Sequence, residues 1–280
     1  PTKIEGNPEH PASLGATDVF AQAAVLTLYD PDRSQIVSNA GRISTWGAFL
    51  TTVTTQLAAQ RSSRGAGLRI LTETATSPTL AHQLQELLTQ FPAAKWHQYE
   101  PVNRDNVRAG ARLAYGESVD TRYHFDEAEV ILALDSDFLS SGPGSLRYAR
   151  DFAAKRRVRG EQTEMNRLYV VECMPSNTGA MADHRLSLRA SEIEGFARAV
   201  ARGLGLEIEP ALPTPNAAYA DWIAALARDL QRHRGTSIVI AGDHQPPAVH
   251  ALAHAMNHAL DNVGKTVLYT DPIEANPVDQ

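Results

Sequence analysis

Residue types able to do chemistry gather first in one loop. It reads Asp135-Ser136-Asp137-Phe138-Leu139-Ser140-Ser141-Gly142-Pro143-Gly144-Ser145 and follows the apolar run Val130-Ile131-Leu132-Ala133-Leu134. Asp135 and Asp137 offer carboxylates to a ribose or a purine, Ser136 offers a hydroxyl, and Gly142 and Gly144 let a phosphate approach the backbone. These five are the candidate cofactor-binding residues. The loop departs from G-x-G-x-x-G, and Pro143 removes one N–H from any phosphate cradle. An ordinary strand-to-helix connection is the simpler reading.

Other constellations are thinner. His250, His254 and His258 recur every fourth residue on one helix, so two of them are spaced to share a metal. H-E-x-x-H is absent, and the apolar stripe Val249, Leu252, Met256, Leu260 and Val263 lies on another face, so a solvated or interdomain histidine face is expected. Cys173 is the only cysteine. It excludes an internal disulfide, a four-thiolate cluster or a zinc knuckle built from this chain alone, and it reads as a small buried thiol at a strand end. Asp183-His184-Arg185 has the residue types of a proton relay, but no G-x-S-x-G elbow accompanies it. Arg147, Arg150, Lys155, Arg156, Arg157 and Arg159 form a basic segment that reads as a solvated helix end or as a docking patch for an acidic partner. No catalytic residue and no metal ligand is assigned.

The elements that position these residues alternate. Trp46, Phe49, Leu50, Val53 and Leu57 recur at helical spacing after Ser44, a possible cap. Strand 68–71 follows, then a helix opened by Ser77-Pro78, strand 95–98, and a helix over 103–115. Val130–Leu134 is the clearest buried strand, followed by a helix through Phe152, strand 168–171, and a helix opened by Ser191 and Glu194 as a capping box. This order predicts an α/β fold with an open, mostly parallel, Rossmann-like sheet flanked by helices. The expected division is an extended segment at 1–40, an α/β domain at 41–207, a proline-rich linker at 208–216, and a second, partial α/β unit at 217–280. That last unit holds strand 238–240, a helix over 247–260 and strand 266–269.

Composition bounds the partners. Of 280 residues 43% are hydrophobic and 21% charged, which is ordinary for a folded protein, and the formal net charge is −6. Nucleic acid is therefore an unfavoured partner. No apolar run approaches the roughly 20 residues of a membrane-spanning helix, so no direct span is expected. The opening Pro1-Thr2-Lys3-Ile4-Glu5-Gly6 reads as a processed or excised start, which leaves the missing export signal uninformative.

Lys3-Ile4-Glu5-Gly6-Asn7-Pro8-Glu9-His10-Pro11, with Gly15 and Leu28-Tyr29-Asp30-Pro31-Asp32-Arg33, resembles a stretch of the molybdopterin oxidoreductases of the dimethyl sulfoxide reductase superfamily. There it flanks the last cysteine of an iron–sulfur cluster and an electron-relaying lysine; here those positions hold Asp18 and Phe20. The resemblance continues at Val130–Phe138, at Ala182-Asp183-His184-Arg185-Leu186, and at Ala241-Gly242 with Asn257–Gly264. The whole chain is most similar to the molybdopterin-oxidoreductase-like half of the large iron–sulfur subunit of alternative complex III. It shares Arg147–Ala154, Gly179–Leu186 and Gln245–Leu252 with that branch.

The resemblance implies a non-catalytic structural domain of a membrane-bound respiratory quinol oxidoreductase. It would bind neither the molybdopterin guanine dinucleotide nor the four-iron four-sulfur cluster of catalytic relatives. Its implied partners are iron–sulfur and haem subunits, and its implied place is the periplasmic side of the bacterial cytoplasmic membrane. The alternatives are a fragment of an active molybdopterin-dependent oxidoreductase and a nucleotide-binding module using the loop at 135–145.

Overall fold

The computed structural model describes residues 2–160, 163–208 and 219–275. Apart from Ile208, the linker expected at 208–216 lies outside the described residues. The chain forms two compact units: Val19–Asn103 with the stretches before Glu5 and after Pro272, and Glu5–Asp18 together with Arg104–Pro272.

The first unit opens with α1 (Val19–Ala23) and a 3-10 turn, Ala24–Leu28. A two-residue hairpin joins β1 (Ser38–Asn39) to β2 (Arg42–Ile43). Ala40 and Gly41 both take positive φ there, 49° and 77°, which matches the right-handed twist of paired strands. Next come α2 (Trp46–Arg61), β3 (Arg69–Thr72), α3 (Pro78–Gln90) and β4 (Lys95–Gln98), with β3 and β4 paired in parallel. The Ser77 side chain caps α3 through the Leu80 N–H, as its sequence predicts. The cap of α2 is Thr45 rather than Ser44: its Oγ1 accepts from Ala48 N–H at 3.2 Å, the three-residue reach of an N-cap.

The second unit holds α4 (Asp105–Tyr115), β5 (Asp120–Tyr123), β6 (Val130–Leu134), α5 (Ser145–Lys155), β7 (Arg167–Glu172) and α6 (Asn177–Ala180). It continues with β8 (His184–Ser187), α7 (Ile193–Gly203), α8 (Ala220–Arg232), β9 (Ser237–Ala241), α9 (Pro247–Ala259) and β10 (Val267–Thr270). Strands β8-β7-β6-β9 form one parallel sheet in that order, and β10 pairs antiparallel with β5. The α/β, Rossmann-like class expected from sequence is the one observed. Strand 237–241, placed by sequence in a last unit, lies in the same sheet as Val130–Leu134. Ser191 sits inside a 3-10 turn, Ala190–Glu192, so the expected capping box shifts back: Glu192 Oε2 accepts from the Arg189 N–H.

Parallel strands are apolar on both faces, because helices cover both. Val130, Leu132, Leu134, Val171 and Val239 pack against Phe196 of α7, Leu226 of α8 and Met256 of α9. Ile131, Ala133, Val170 and Ile238 face the other way, toward Phe125, Phe138 and Phe152. The free edge of β9 is covered by side chains. Asn257 of α9, 1% exposed, accepts from Val239 N–H at 2.9 Å and donates to Val239 carbonyl at 2.7 Å. Asn262 Oδ1 accepts from the Ser237 hydroxyl at 3.1 Å, and the Thr266 hydroxyl donates to the Ser237 carbonyl at 2.5 Å. A strand edge left bare would invite pairing with another chain.

Replacing Asn257 by Leu keeps the volume and leaves two buried backbone groups unpaired. We expect a loss of about 2–4 kcal/mol in urea unfolding; a change below about 0.5 kcal/mol, the range of neutral surface changes, would mean that the edge is satisfied some other way.

Candidate functional site

In open α/β sheets ligands settle beyond the carboxyl ends of the strands, at the point where strand order reverses. Here the chain runs from β6 to β7 and β8 on one side, then returns to the other side of β6 as β9. The reversal lies between β6 and β9, and Asp135 stands directly on it.

Asp135 takes φ +53°, a left-handed conformation that aspartate tolerates better than most residues. Its side chain joins three strand ends. Oδ1 accepts from Cys173 N–H at 3.0 Å, after β7. Oδ2 lies 2.8 Å from His244 Nε2, accepts from the Gln245 side-chain amide at 2.9 Å, and is 3.4 Å from Cys173 Sγ. The approach is close: a Cβ on Gly242 would lie 2.0 Å from the Asp135 carbonyl oxygen, so only glycine fits at the end of β9. His244 and Gln245 are the residues that sequence reasoning missed. Their only sequence signal is a strand ending in Gly-Asp-His, which gains meaning once β9 is known to neighbour β6.

The other loop residues have separate tasks. Ser136 is buried beside Asp135. Asp137 Oδ1 accepts from the Thr178 N–H at 2.9 Å and the Thr178 hydroxyl at 2.7 Å, knitting this loop to α6. Gly142, at φ +88°, turns the chain in open space. Gly144 lies under Tyr148, whose ring carbon would be 2.2 Å from an added Cβ, so this glycine serves packing. The structure therefore gathers Asp135 with Cys173, His244 and Gln245, and it directs Asp137, Gly142 and Gly144 elsewhere.

Cys173 is exposed, not the buried thiol expected from sequence, because β7 ends one residue earlier and the chain emerges at the crest. Local desolvation and the Asp135 carboxylate raise its pKa, which disfavours the nucleophilic thiolate. Asp183, His184 and Arg185 form no relay. Asp183 pairs with Arg156 and accepts from Leu168 N–H, His184 stacks on Tyr169 at 4.5 Å, and Arg185 pairs with the buried Glu172. Two of the basic-segment arginines hold the chain's own early residues: Arg147 donates to the Pro11 carbonyl at 3.1 Å and Arg150 to the Leu14 carbonyl.

The histidine series is split by depth. His250 and His254 are 5% and 6% exposed, while His258 is exposed. Of the face expected to be solvated or interdomain, only His258 meets solvent; His250 packs on α4, where Gly110 makes room, since a Cβ there would be 2.3 Å from that of His250. Among the described residues no group of three or more His, Cys, Asp or Glu is arranged to hold a metal ion.

No protein-family model matches the sequence, and no curated protein does. Among solved structures, acetylene hydratase from Pelobacter acetylenicus has a similar fold, with a TM-score of 0.56 and 13% identity. The match covers 92% of this chain and 40% of that one, so this chain spans two fifths of its neighbour's length. The formyltransferase/hydrolase complex (FhcABCD) from Methylorubrum extorquens, solved with methylofuran, matches at a TM-score of 0.47 and 19% identity. That match covers 75% of this chain and 55% of the other. At 13% identity the likeness to acetylene hydratase is one of fold.

Two outcomes are expected. Asp135→Ala leaves the Cys173 N–H and the Gln245 amide without their acceptor and lowers stability by about 2–4 kcal/mol. Asp135→Asn, which keeps one acceptor and the left-handed backbone, should cost less than half as much in the same urea titration. Burial pushes His250 and His254 down to about 4, so between pH 6.5 and 4 the unfolded chain takes up protons that the folded one refuses. Stability should be flat above pH 7 and fall through that window by roughly 3 kcal/mol per imidazole. His254→Leu should flatten the slope; an unchanged slope would assign it to other groups.

Proposed function

We propose that this chain is a non-catalytic, molybdopterin-oxidoreductase-like structural domain of a membrane-bound respiratory quinol oxidoreductase. In this reading it is exported to the periplasmic side, where it organises iron–sulfur and haem subunits without holding a redox centre itself. The observation that carries the reading is α2. None of its 16 residues is buried; Trp46 is 62% exposed, and Phe49 and Leu50 are 46% exposed each. The Trp46 and Phe49 rings lie 4.9 Å apart, and Ile43 just before the helix is 79% exposed. Apolar surface gathered in this way disfavours water and marks protein–protein contact.

Three further points support it. One cysteine cannot supply a four-thiolate cluster, and Asp18 stands where the resembled family has its last cluster ligand. The fold is similar to that of acetylene hydratase, a member of the dimethyl sulfoxide reductase superfamily. At the crest beyond β6 both Asp135 oxygens are engaged, and Asp135 and Tyr148 lie beside Gly242 and Gly144, which supports a reading without a pterin dinucleotide. Among the described residues no helix is long and apolar enough to cross a membrane. A nucleotide-binding module is the second reading, favoured by the left-handed Asp135 at the strand-order reversal.

One preparation of the full chain tests both. Elemental analysis should find molybdenum, tungsten and iron far below one atom per chain, and Trp46→Glu with Phe49→Glu should reduce anilinonaphthalene sulfonate fluorescence severalfold. Stoichiometric metal, or a pterin fluorophore after acid oxidation, overturns the structural reading. A rise in Tm with millimolar GMP or AMP would favour the nucleotide module in its place.

A further inference from the structure

We propose that a cleft between α4, α7 and α9 binds a small, uncharged, mostly apolar molecule carrying one carbonyl or hydroxyl oxygen. The cleft has a volume of about 660 Å³, within the usual size of small-molecule sites. It shares no residue with the Asp135 crest. Its floor is Ala248, Ala251 and Ala255 of α9, whose short side chains leave the helix surface open. Leu113 at the end of α4 and Ile208 beyond α7 add apolar walls.

A floor of small residues alone is only packing, but His254 adds a directed polar atom. Its side chain lines the cleft and is 6% exposed. Nδ1 lies 3.0 Å from the Tyr269 hydroxyl, which is itself hydrogen-bonded to Tyr115. The Tyr115 and Tyr269 rings flank the imidazole at centroid distances of 5.3 and 5.4 Å, fixing its plane. Nε2 has no hydrogen-bond partner among the described residues, and it is absent from the atoms sealed off without one. The imidazole is neutral near pH 7, because burial lowers its pKa to about 4.

The tyrosine pair sets the tautomer. If Tyr269 donates to Nδ1, Nε2–H donates into the cleft and takes a carbonyl oxygen. If Tyr269 accepts from Nδ1–H, the Nε2 lone pair takes a hydroxyl. Among the described lining residues Arg198 is paired with Glu194 at 2.8 Å, Glu207 is acidic and His258 is an exposed imidazole, so the lining favours a neutral ligand over an anion. A neutral ligand with one polar atom is what this lining recognises.

The test uses the full chain with acetophenone, with the matching alcohol 1-phenylethanol, and with ethylbenzene as the same shape without the oxygen. Imidazole ¹H–¹⁵N correlation spectra follow the His254 Nε2 resonance. Acetophenone or the alcohol, whichever the tautomer takes, should shift it with millimolar affinity, and ethylbenzene should bind about five- to tenfold more weakly, the value of one net hydrogen bond. Ala251→Trp, which fills the floor, should abolish the shift. Leu113→Asp, at a side chain 68% exposed, changes the wall without touching the core and should weaken binding severalfold. A resonance unmoved by both acetophenone and 1-phenylethanol, affinity for both no higher than for ethylbenzene, or wild-type binding by both variants overturns the proposal. These results do not depend on the scaffold reading, whose own test is metal content.

Discussion

Three neighbouring parallel strands, β7, β6 and β9, are buried along almost their whole length and must be covered on both faces and at the edge of β9, and this requirement organises the larger unit. Parallel strands cannot be joined by tight hairpins, so the crossover segments become the covering layers. On one face α7, α8 and α9 bury Phe196, Leu226 and Met256 against the sheet; on the other Phe125, Phe138 and Phe152 do so. A further strand might have closed β9. Instead Asn257, Asn262 and Thr266 satisfy its backbone, so the edge is sealed by three buried polar side chains.

The same logic explains the crest. Where strands end, their last backbone groups lose neighbours, and the region becomes either a ligand site or a self-satisfied junction. Here Asp135 engages groups from beyond β7 and β9 with one carboxylate. Its left-handed backbone is the strained feature, and close contact with Gly242 holds it in place. The Arg147 and Arg150 contacts to the carbonyls of Pro11 and Leu14 draw the early chain onto α5. Part of the basic segment is thus used inside the unit. The apolar residues Trp46, Phe49 and Leu50 of α2, by contrast, are exposed.

The legible features were those governed by local rules. Val130–Leu134 was recognisable from its apolar content, Lys95–Gln98 was read as a strand from its place between two helices, and Ser77-Pro78 announced α3 through capping chemistry. The strands at His184–Ser187 and Asp120–Tyr123 were not legible, because their residues are mostly polar and partly exposed. Their strand character comes from pairing with β7 and β10. For the candidate loop, sequence located Asp135 correctly at a strand end but could not say what its oxygens would meet.

By itself the sequence determined the α/β class and the placement of most helices and strands, since hydrophobic periodicity and helix caps act over a few residues. One cysteine also settled that this chain alone cannot build a thiolate cluster. Only the tertiary structure decided that His244 and Gln245 reach Asp135 across more than a hundred residues, that His250 and His254 are buried against α4, and that Cys173 is exposed. Those outcomes depend on strand order and helix packing, which bring distant residues together through contacts that no local pattern encodes.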